Sequence, residues 1–243
     1  MPDSLFGSDS DSSDSENVQV HAPRGSRLEL ELPPASSAPP PIEGFYLFHK
    51  ALPREPHDQL SEDLSRNVWT GATNQVMLFE RAGRSSFPAL LQPLLDSLPS
   101  ILSALPAHVR ILLDDTAKPR QAILNLYHPG QGITPHVDLP TRYADGIIGV
   151  SLLSSTVMEF RPVRPTTPAV VHSVQLRPRD VYVLSGPARW EWTHGIAYRD
   201  EDVVVDEGGE PMRVLRGTRM SITLRRMQEG AEVVGSETQD GAA

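Results

Sequence analysis

The sequence predicts an α+β domain in which N-terminal helices cover a β-rich core, with an acidic tail at each end. From residue 121 onward, short runs of β-type residues alternate with Gly- and Pro-containing turns about every eight to twelve positions. This spacing is typical of a sandwich, barrel or jelly roll. Residues 87–98, by contrast, carry apolar side chains at helical spacing. A chain of 243 residues is long enough for one such domain with tails.

The net charge of −9 comes from the two terminal segments. Residues 1–41 carry seven acids and two bases, and residues 228–243 carry four acids and no base, so the 20 acids and 20 bases between them cancel. The first segment is acidic and Ser-rich and then rich in Pro, Ser and Ala, a composition that buries too little apolar area to offset the entropy of ordering. We therefore expect disordered tails at 1–41 and 228–243 and a folded domain over 42–227.

Several classes of protein are excluded by what the sequence lacks. It contains no cysteine, which excludes disulfides, thiolate metal sites and a catalytic thiol. The N-terminus lacks the apolar stretch of a signal peptide, and no apolar run approaches the roughly 18 residues of a membrane span. We therefore expect a soluble monomer of the nucleus or cytoplasm that does not associate with membranes.

The predicted elements follow the order of the chain. In the first part we expect strands at 45–48 and 74–79, a helix at 53–64 and two short helical pieces within 87–98. In the second part the predicted strands are 121–127, 146–153, 156–161, 170–176, 180–185, 189–194 and 219–225. Between 198 and 213, an acidic segment with a Gly-Gly turn predicts a surface hairpin or loop.

A His-x-Asp pair follows a Pro- and Gly-rich turn after the strand at 121–127. In an extended segment, residues i and i+2 project to the same side, so His136 and Asp138 could bind one metal ion. With His194 they would form a set of two histidines and one carboxylate, which suits non-haem Fe(II) oxygenases. The pair alone is weak evidence, because composition gives about one His-x-Asp in every second chain of this kind.

His194 lies in a Trp- and Thr-containing run that we predict to be a strand. In that strand Trp190, Trp192 and His194 would alternate on one face and form an apolar, partly aromatic wall. Taken alone, His194 could equally be a histidine at the edge of the core with a backbone hydrogen bond.

The last predicted strand carries a polar stripe, since Arg219, Ser221 and Arg225 share one face with Thr223. Burying guanidinium groups without partners would be costly, and a dicarboxylate ligand would remove that cost by charge-assisted hydrogen bonds. The stripe could instead face solvent. Asn125 and Tyr127, also two residues apart, could donate to the same small acid.

Together these motifs resemble the AlkB family of Fe(II)/2-oxoglutarate dioxygenases, most of all the AlkB-type domain of tRNA wobble-uridine hydroxylases. The resemblance extends over residues 122–227. It rests on these features in this order: Asn125-x-Tyr127, His136-x-Asp138, residues 150–160, the Trp-Thr-His-Gly run around His194, and Arg219-x5-Arg225. Such a resemblance implies a double-stranded β-helix (jelly-roll) core with N-terminal covering helices and flanking strands.

The resemblance also implies the roles of the site residues. Fe(2+) would bind His136, Asp138 and His194, and these would be the catalytic centre. The far carboxylate of 2-oxoglutarate would pair with Arg219. The other residues assigned to the cosubstrate are Asn125, Tyr127, Ser221 and Arg225. With O2 as the oxidant, the products would be succinate, CO2 and a hydroxylated substrate.

The substrate is less well indicated than the reaction. The resemblance implies hydroxylation or oxidative demethylation of a modified nucleobase in RNA (tRNA) or DNA, which needs basic or aromatic residues around the pocket. Candidates for that rim are Trp69, Arg142, Tyr143 and Arg161, with Arg81 and Arg84 as phosphate contacts. A protein or small-molecule substrate, and a catalytically silent binding module, remain as alternatives.

Overall fold

The computed structural model describes residues 33–80, 87–206 and 208–231. In the first half, strands and helices are interleaved. They are β1 (Phe45–Phe48), α1 (Arg54–Asn67), β2 (Gln75–Glu80), a 3-10 turn (Ala89–Leu91) that runs into α2 (Gln92–Leu102), and α3 (Ala107–Asp114).

The second half is almost entirely β-structure. Its elements are β3 (Arg120–Tyr127), β4 (Ile133–His136), β5 (Tyr143–Leu152), β6 (Thr156–Pro162), β7 (His172–Leu176), β8 (Val181–Leu184), α4 (Pro187–Trp190), β9 (Trp192–Ile196), β10 (Glu201–Val205), β11 (Pro211–Leu215) and β12 (Arg219–Met227). The predicted α+β class is therefore confirmed. The predicted surface hairpin is also confirmed, as β10 and β11.

Two antiparallel sheets form the core. The larger has the order β1-β8-β5-β12-β3-β2, and the smaller has the order β4-β9-β6-β7. Apolar residues from both sheets pack into one cluster between them, for example Ile147 and Tyr182 from the larger sheet with Met158 and Phe160 from the smaller. Two facing antiparallel sheets are the layers of a jelly roll.

The helices cover the outer face of the larger sheet. Leu60 and Leu64 of α1 and Leu94 of α2 are fully buried in a cluster that includes Leu124 and Ile222 of the sheet. Because side chains alternate along a strand, β3 and β12 turn these apolar residues to the helices and their polar residues to the opposite side. That alternation leaves the inner face of the larger sheet free to line a site. None of the helices in the described ranges is long and apolar enough to cross a membrane.

Two expectations need correction, and one helix was missed. Residues 187–190 form a helical turn and the strand begins at Trp192, so Trp190 does not share a strand face with His194. Helix α3 was not predicted, because its apolar positions make only two turns. The N-terminal boundary is also displaced: Ala35 is 2% exposed, and its amide bonds the Val203 carbonyl at 2.9 Å.

The segment around Ala35 is part of the folded structure rather than of the tail. Ala35 bridges β10, and Ser36 bridges β7, both in parallel. This short segment therefore joins the β10–β11 hairpin to the edge of the smaller sheet. The remainder of the predicted tails, residues 1–32 and 232–243, lies outside the described residues.

Candidate active site

The fold brings His136, Asp138 and His194 together at one end of the smaller sheet. His136 is the last residue of β4 and pairs with His194 of β9, and Asp138 follows two residues later. One ligand atom from each residue lies within 4.8 Å of the others. His194 Nε2 is 3.6 Å from Asp138 Oδ2, and the two imidazole centroids are 4.5 Å apart. Two nitrogens and one carboxylate oxygen at these separations could hold a divalent metal ion.

A glycine next to His194 permits the close approach of β4 and β9. A Cβ atom at Gly195 would lie 2.9 Å from Pro135 Cα, closer than real side chains come to backbone. The strands can therefore meet only if this residue has no side chain. Gly195 thus helps to bring His136 beside His194.

The surroundings of both histidines suit metal binding. His136 Nδ1 lies 2.9 Å from the Thr134 carbonyl oxygen. A carbonyl can only accept, so Nδ1 carries the proton and Nε2 is left as the ligand atom. Burial lowers the pKa of His194 to about 4, against the opposing effect of Asp138, so this ring is neutral near pH 7. A neutral imidazole is the form that ligates metal.

Asp138 is a buried but ionised carboxylate. Burial by itself raises the pKa of Asp138, but Arg225, His194 and His136 together bring the pKa below its ordinary value. Oδ1 accepts a hydrogen bond from Arg225 Nη1. Among the residues that the structure describes, Oδ2 is buried and has no donor. An acceptor left open beside two histidine nitrogens suits a cation.

Arg225 reaches this metal end from β12. Its Nη2 and Nε atoms bond Gln121 Oε1 at 2.6 and 3.0 Å, and its guanidinium lies 3.7 Å from the centroid of the Tyr143 ring. Gln121 is the register partner of Arg225 in β3. Sequence reasoning placed Arg225 with the cosubstrate residues, and its observed contacts are with the predicted metal ligand and these two neighbours.

The other end of the pocket is formed by Arg219. Its Nε donates to Ser151 Oγ at 3.2 Å, and the Tyr127 ring lies beneath it at 5.3 Å. Burial lowers the pKa of Arg219, with Tyr127 and Tyr182 opposing this effect. Nη1 is buried and has no acceptor within the described ranges. A buried guanidinium nitrogen without an acceptor fits an anionic ligand.

A row of polar side chains crosses four strands of the larger sheet and includes Ser151, the hydrogen-bond partner of Arg219. Gln75, Asn125, Ser221 and Ser151 are register partners in β2, β3, β12 and β5. Gln75 Nε2 donates to Asn125 Oδ1 at 2.8 Å, which leaves the amide nitrogen of Asn125 facing the cavity. All eight predicted site residues line a single cavity of about 230 Å³.

Three residues of the site were not predicted from sequence. Tyr182 of β8 lines the cavity together with Thr223 of β12. Its ring occupies space that Gly149 leaves, since a Cβ there would lie 2.0 Å from Tyr182 Cζ. Gln121 and Arg189 support the metal end. Tyr182 is a polar group inside an apolar run, which is the signal that was available, whereas Gln121 and Arg189 have polar neighbours in the sequence and carry no such signal.

The predicted rim residues do not surround the cavity. Tyr143 is fully buried beneath Arg225, and Trp69 packs toward the helices with Nε1 3.3 Å from Met220 Sδ. Arg161 pairs with Glu159 at 2.9 Å, and Arg142 lies against Tyr143. Arg81 and Arg84 lie outside the described residues. Other partly or fully exposed residues that line the cavity include Asn74, Gln75, Val137 and Leu139.

Comparison with known proteins identifies the domain. Residues 45–225 match the family described as the 2OG-Fe(II) oxygenase superfamily. An uncharacterized protein, L905, of Acanthamoeba polyphaga mimivirus is 29% identical over 187 residues, which is 76% of this chain and 86% of that protein. The tRNA (carboxymethyluridine(34)-5-O)-methyltransferase alkbh8 of Xenopus tropicalis is 39% identical over 121 residues, 45% of this chain. That match covers only 19% of the frog protein.

A solved structure supports the fold. A prolyl hydroxylase of Trichoplax adhaerens, crystallised with a peptide of hypoxia inducible factor, aligns over 80% of this chain and 88% of its own. The TM-score is 0.51 at 12% identity. The predicted jelly-roll class is thereby confirmed, and the similarity to alkbh8 agrees with the predicted resemblance to the AlkB family. The chain belongs to the 2OG-Fe(II) oxygenase superfamily, and it is a dioxygenase that uses Fe(2+), 2-oxoglutarate and O2.

Proposed function

We propose that this protein hydroxylates or oxidatively demethylates a modified nucleobase in RNA or DNA, releasing succinate and CO2. One observation carries the reaction: a cluster of two histidines and one carboxylate shares a cavity with a buried guanidinium nitrogen that lacks an acceptor among the described residues. The first feature suits Fe(II), and the second suits the far carboxylate of 2-oxoglutarate.

At the metal end, His136 Nε2, Asp138 and His194 would hold the iron. Iron and 2-oxoglutarate together supply the oxidising power for the C–H bond, and the protein supplies binding, orientation and exclusion of water. Arg225 keeps the Asp138 carboxylate ionised and fixed. The apolar side chains of Ile133, Met158 and Ile196, which line the cavity, keep bulk water from the reacting groups.

At the other end, Arg219 would pair with the far carboxylate of the cosubstrate. Asn125 and Tyr127 would donate further hydrogen bonds, and Ser221, which lines the same cavity, would orient the Tyr127 phenol. Burial raises the pKa of Tyr127, although Arg219 acts in the opposite direction, so the hydroxyl stays protonated and can donate. Arg225 would bind at the metal end of the same molecule.

A nucleobase substrate is supported by the kinship with alkbh8, which is named for a modified uridine of tRNA. An enzyme that modifies a base acts on a single strand or takes the base out of the stack. The more exposed part of the cavity lining offers amides at Asn74 and Gln75 and apolar contacts at Val137 and Leu139. Amides can read the edge of a base, and the apolar groups can contact its face.

A protein or small-molecule substrate is the second candidate. It is favoured by the lining of the cavity, because within the described ranges no lysine or arginine other than the interior Arg219 and Arg225 lines it. A phosphate backbone would be expected to meet Lys or Arg near the entrance. The two candidates are therefore separated by which class of molecule stimulates turnover.

The test is Fe(II)-dependent release of succinate from 2-oxoglutarate, measured with pooled tRNA, alkylated single-stranded DNA, protein extract, or no addition. We expect nucleic acid to stimulate release, and we expect His136→Ala to abolish it. His128→Ala is the matched control, because His128 is exposed and does not line the cavity. Stimulation by protein extract alone would favour the second candidate. No release in any arm, with wild type equal to His136→Ala, would indicate a silent binding module.

A further inference from the structure

Arg189 is among the largest fully buried side chains in the described part of the protein, at 2% exposure. It lies in the helical turn α4, five residues before His194. Its face stacks over the Trp190 ring at 4.1 Å from the centroid. A guanidinium is seldom fully buried unless its nitrogens find acceptors, so its partners are informative.

Those partners are three backbone carbonyls of the segment that carries Asp138. Nη1 donates to the Asp138 carbonyl at 2.9 Å, Nη2 to the Tyr143 carbonyl at 3.1 Å, and Nε to the Ala144 carbonyl at 3.4 Å. The fork therefore spans the loop between β4 and β5 at both of its ends. It bonds the main chain of the carboxylate ligand itself.

The main chain of the helical turn that carries Arg189 is also fixed by hydrogen bonds. The Gly186 amide donates to both carboxylate oxygens of Asp145, at 3.0 and 3.1 Å. The Ala188 amide donates to the Glu43 carbonyl at 3.0 Å. With its main chain fixed to β5 and to the segment before β1, the turn can present the guanidinium in one place.

Asp138 needs such support because it lies outside the ladder. Strand β4 ends at His136, the last residue that pairs with β9. Beyond that point the main chain is not held by strand pairing, whereas His194 lies within β9. Arg225 donates a hydrogen bond to the carboxylate of Asp138, and Arg189 donates one to its backbone carbonyl. The two arginines hold opposite ends of the same residue.

We propose that Arg189 is a positioning residue for the metal centre, which fixes Asp138 relative to His194 and thereby sets the affinity for a divalent metal. The inference rests on the proposed ligand roles of His136, Asp138 and His194. Residues that orient metal ligands from outside typically change metal affinity by about 10- to 100-fold when they are lost. That range is the effect expected for loss of Arg189.

Arg226 provides a matched control. It is also buried, at 7% exposure, and it also donates to backbone carbonyls: Leu113 at 2.9 and 2.8 Å and Lys118 at 2.8 Å. The segment that it holds, between α3 and β3, carries no metal ligand. Loss of Arg226 should therefore cost stability of the same kind without an effect on metal binding.

The experiment measures Mn(II) binding to the metal-free protein by electron paramagnetic resonance, with unfolding in urea as a parallel readout. We expect Arg189→Met to raise the Mn(II) dissociation constant by about 10- to 100-fold, and Arg189→Lys, which keeps one charged donor, to restore part of that affinity. Arg226→Met should be destabilised to a similar degree with wild-type Mn(II) affinity.

Each outcome bears on a separate claim. Wild-type Mn(II) affinity in Arg189→Met, or an equal loss in Arg226→Met, would overturn the positioning role while the metal site itself stands. Failure of the wild-type protein to bind Mn(II) at all would instead overturn the ligand assignment on which the proposal rests. If Arg189→Met does not fold, Arg189→Lys carries the test, with Arg226→Lys as its control.

Discussion

Arg219 and Arg225 lie on the same face of β12, six residues apart, and are buried to a similar degree, at 3% and 5% exposure. Their surroundings differ. Arg225 has a buried carboxylate, a glutamine oxygen and an aromatic ring as partners. Arg219 has one serine hydroxyl and tyrosine neighbours, and its Nη1 finds no acceptor in the described ranges. The guanidinium at one end of the pocket thus has a full set of partners, and the guanidinium at the other end does not.

This difference indicates which end of the pocket has its buried charge paired before a ligand binds. A buried charge is costly unless it is paired and hydrogen-bonded, so Arg225 belongs to the folded protein itself. Arg219 is a buried cation whose Nη1 has no acceptor in the described ranges, and the occupant proposed for it is the far carboxylate of 2-oxoglutarate. On that proposal, the Asp138 end is complete in the folded protein and the Arg219 end is completed by the cosubstrate.

The largest effect should come from breaking the paired end. In Arg225→Met the buried Asp138 loses its counter-charge, so we expect the free energy of unfolding of the metal-free protein to fall by about 3–5 kcal/mol. Urea unfolding measures this change. Addition of Mn(II) should recover part of the loss, because the metal supplies positive charge to the same carboxylate.

The control for that experiment is a more exposed ion pair on the same sheet. Arg120 pairs with Glu80 at 2.5 Å, and their side chains are 28% and 20% exposed. Arg120→Met should cost less than Arg225→Met, because the Arg120–Glu80 pair keeps access to water. Equal losses in the two variants would mean that the Arg225–Asp138 pair has no special place in the site.

The unpaired end should respond in the opposite sense. Arg219→Met removes a buried charge that lacks a full set of partners, so we expect the ligand-free stability to stay the same or rise slightly. Binding of 2-oxoglutarate to the Mn(II)-loaded protein should weaken by about 10- to 100-fold, since charge-assisted hydrogen bonds contribute roughly 1.5–3 kcal/mol. Calorimetric titration measures that affinity.

Arg219→Lys separates charge from geometry at this position. A lysine keeps the charge but not the planar fork, so its 2-oxoglutarate affinity should fall between wild type and Arg219→Met. An unchanged affinity in Arg219→Met would move the carboxylate anchor to another residue of the cavity.

The grouping of Arg219 with its polar neighbours was predictable from sequence because these residues lie on regular strands. Alternation along β12 places Arg219, Ser221 and Arg225 on one face, and the register with β3 adds Asn125 and Tyr127 opposite. A period of two is readable in a single sequence. The unresolved choice between an inward and an outward stripe is decided by the helices, which cover the other face.

The support of the metal end could not be predicted in the same way. The contact of Arg189 with Asp138 joins residues 51 positions apart through a helical turn that reads as a strand in the sequence. The role of Gly149, which makes room for Tyr182, depends on the pairing of β5 with β8. Contacts of this kind follow from tertiary packing, and no local period encodes them.

The smallest effect should come from a group that lies between the two ends. Tyr182 lines the cavity, and the charges that act on its hydroxyl include Arg219 from one end and Asp138 from the other. Burial raises the pKa of Tyr182, so the phenol is a neutral donor. We expect the Tyr182 hydroxyl to donate to bound 2-oxoglutarate, so Tyr182→Phe removes one hydrogen bond worth about 1 kcal/mol and weakens 2-oxoglutarate binding roughly fivefold.

The metal affinity of Tyr182→Phe decides to which end the residue belongs. If the hydroxyl serves the cosubstrate, Mn(II) binding stays at the wild-type level while 2-oxoglutarate binding weakens. If it acts through Asp138, both affinities fall together. Tyr46→Phe is the control, since Tyr46 of β1 packs among the helix-facing apolar residues and should leave both affinities unchanged. If Tyr182→Phe binds 2-oxoglutarate with wild-type affinity, the Tyr182 ring has only a packing role over Gly149. Selection of the cosubstrate would then rest on the Arg219 end of the pocket.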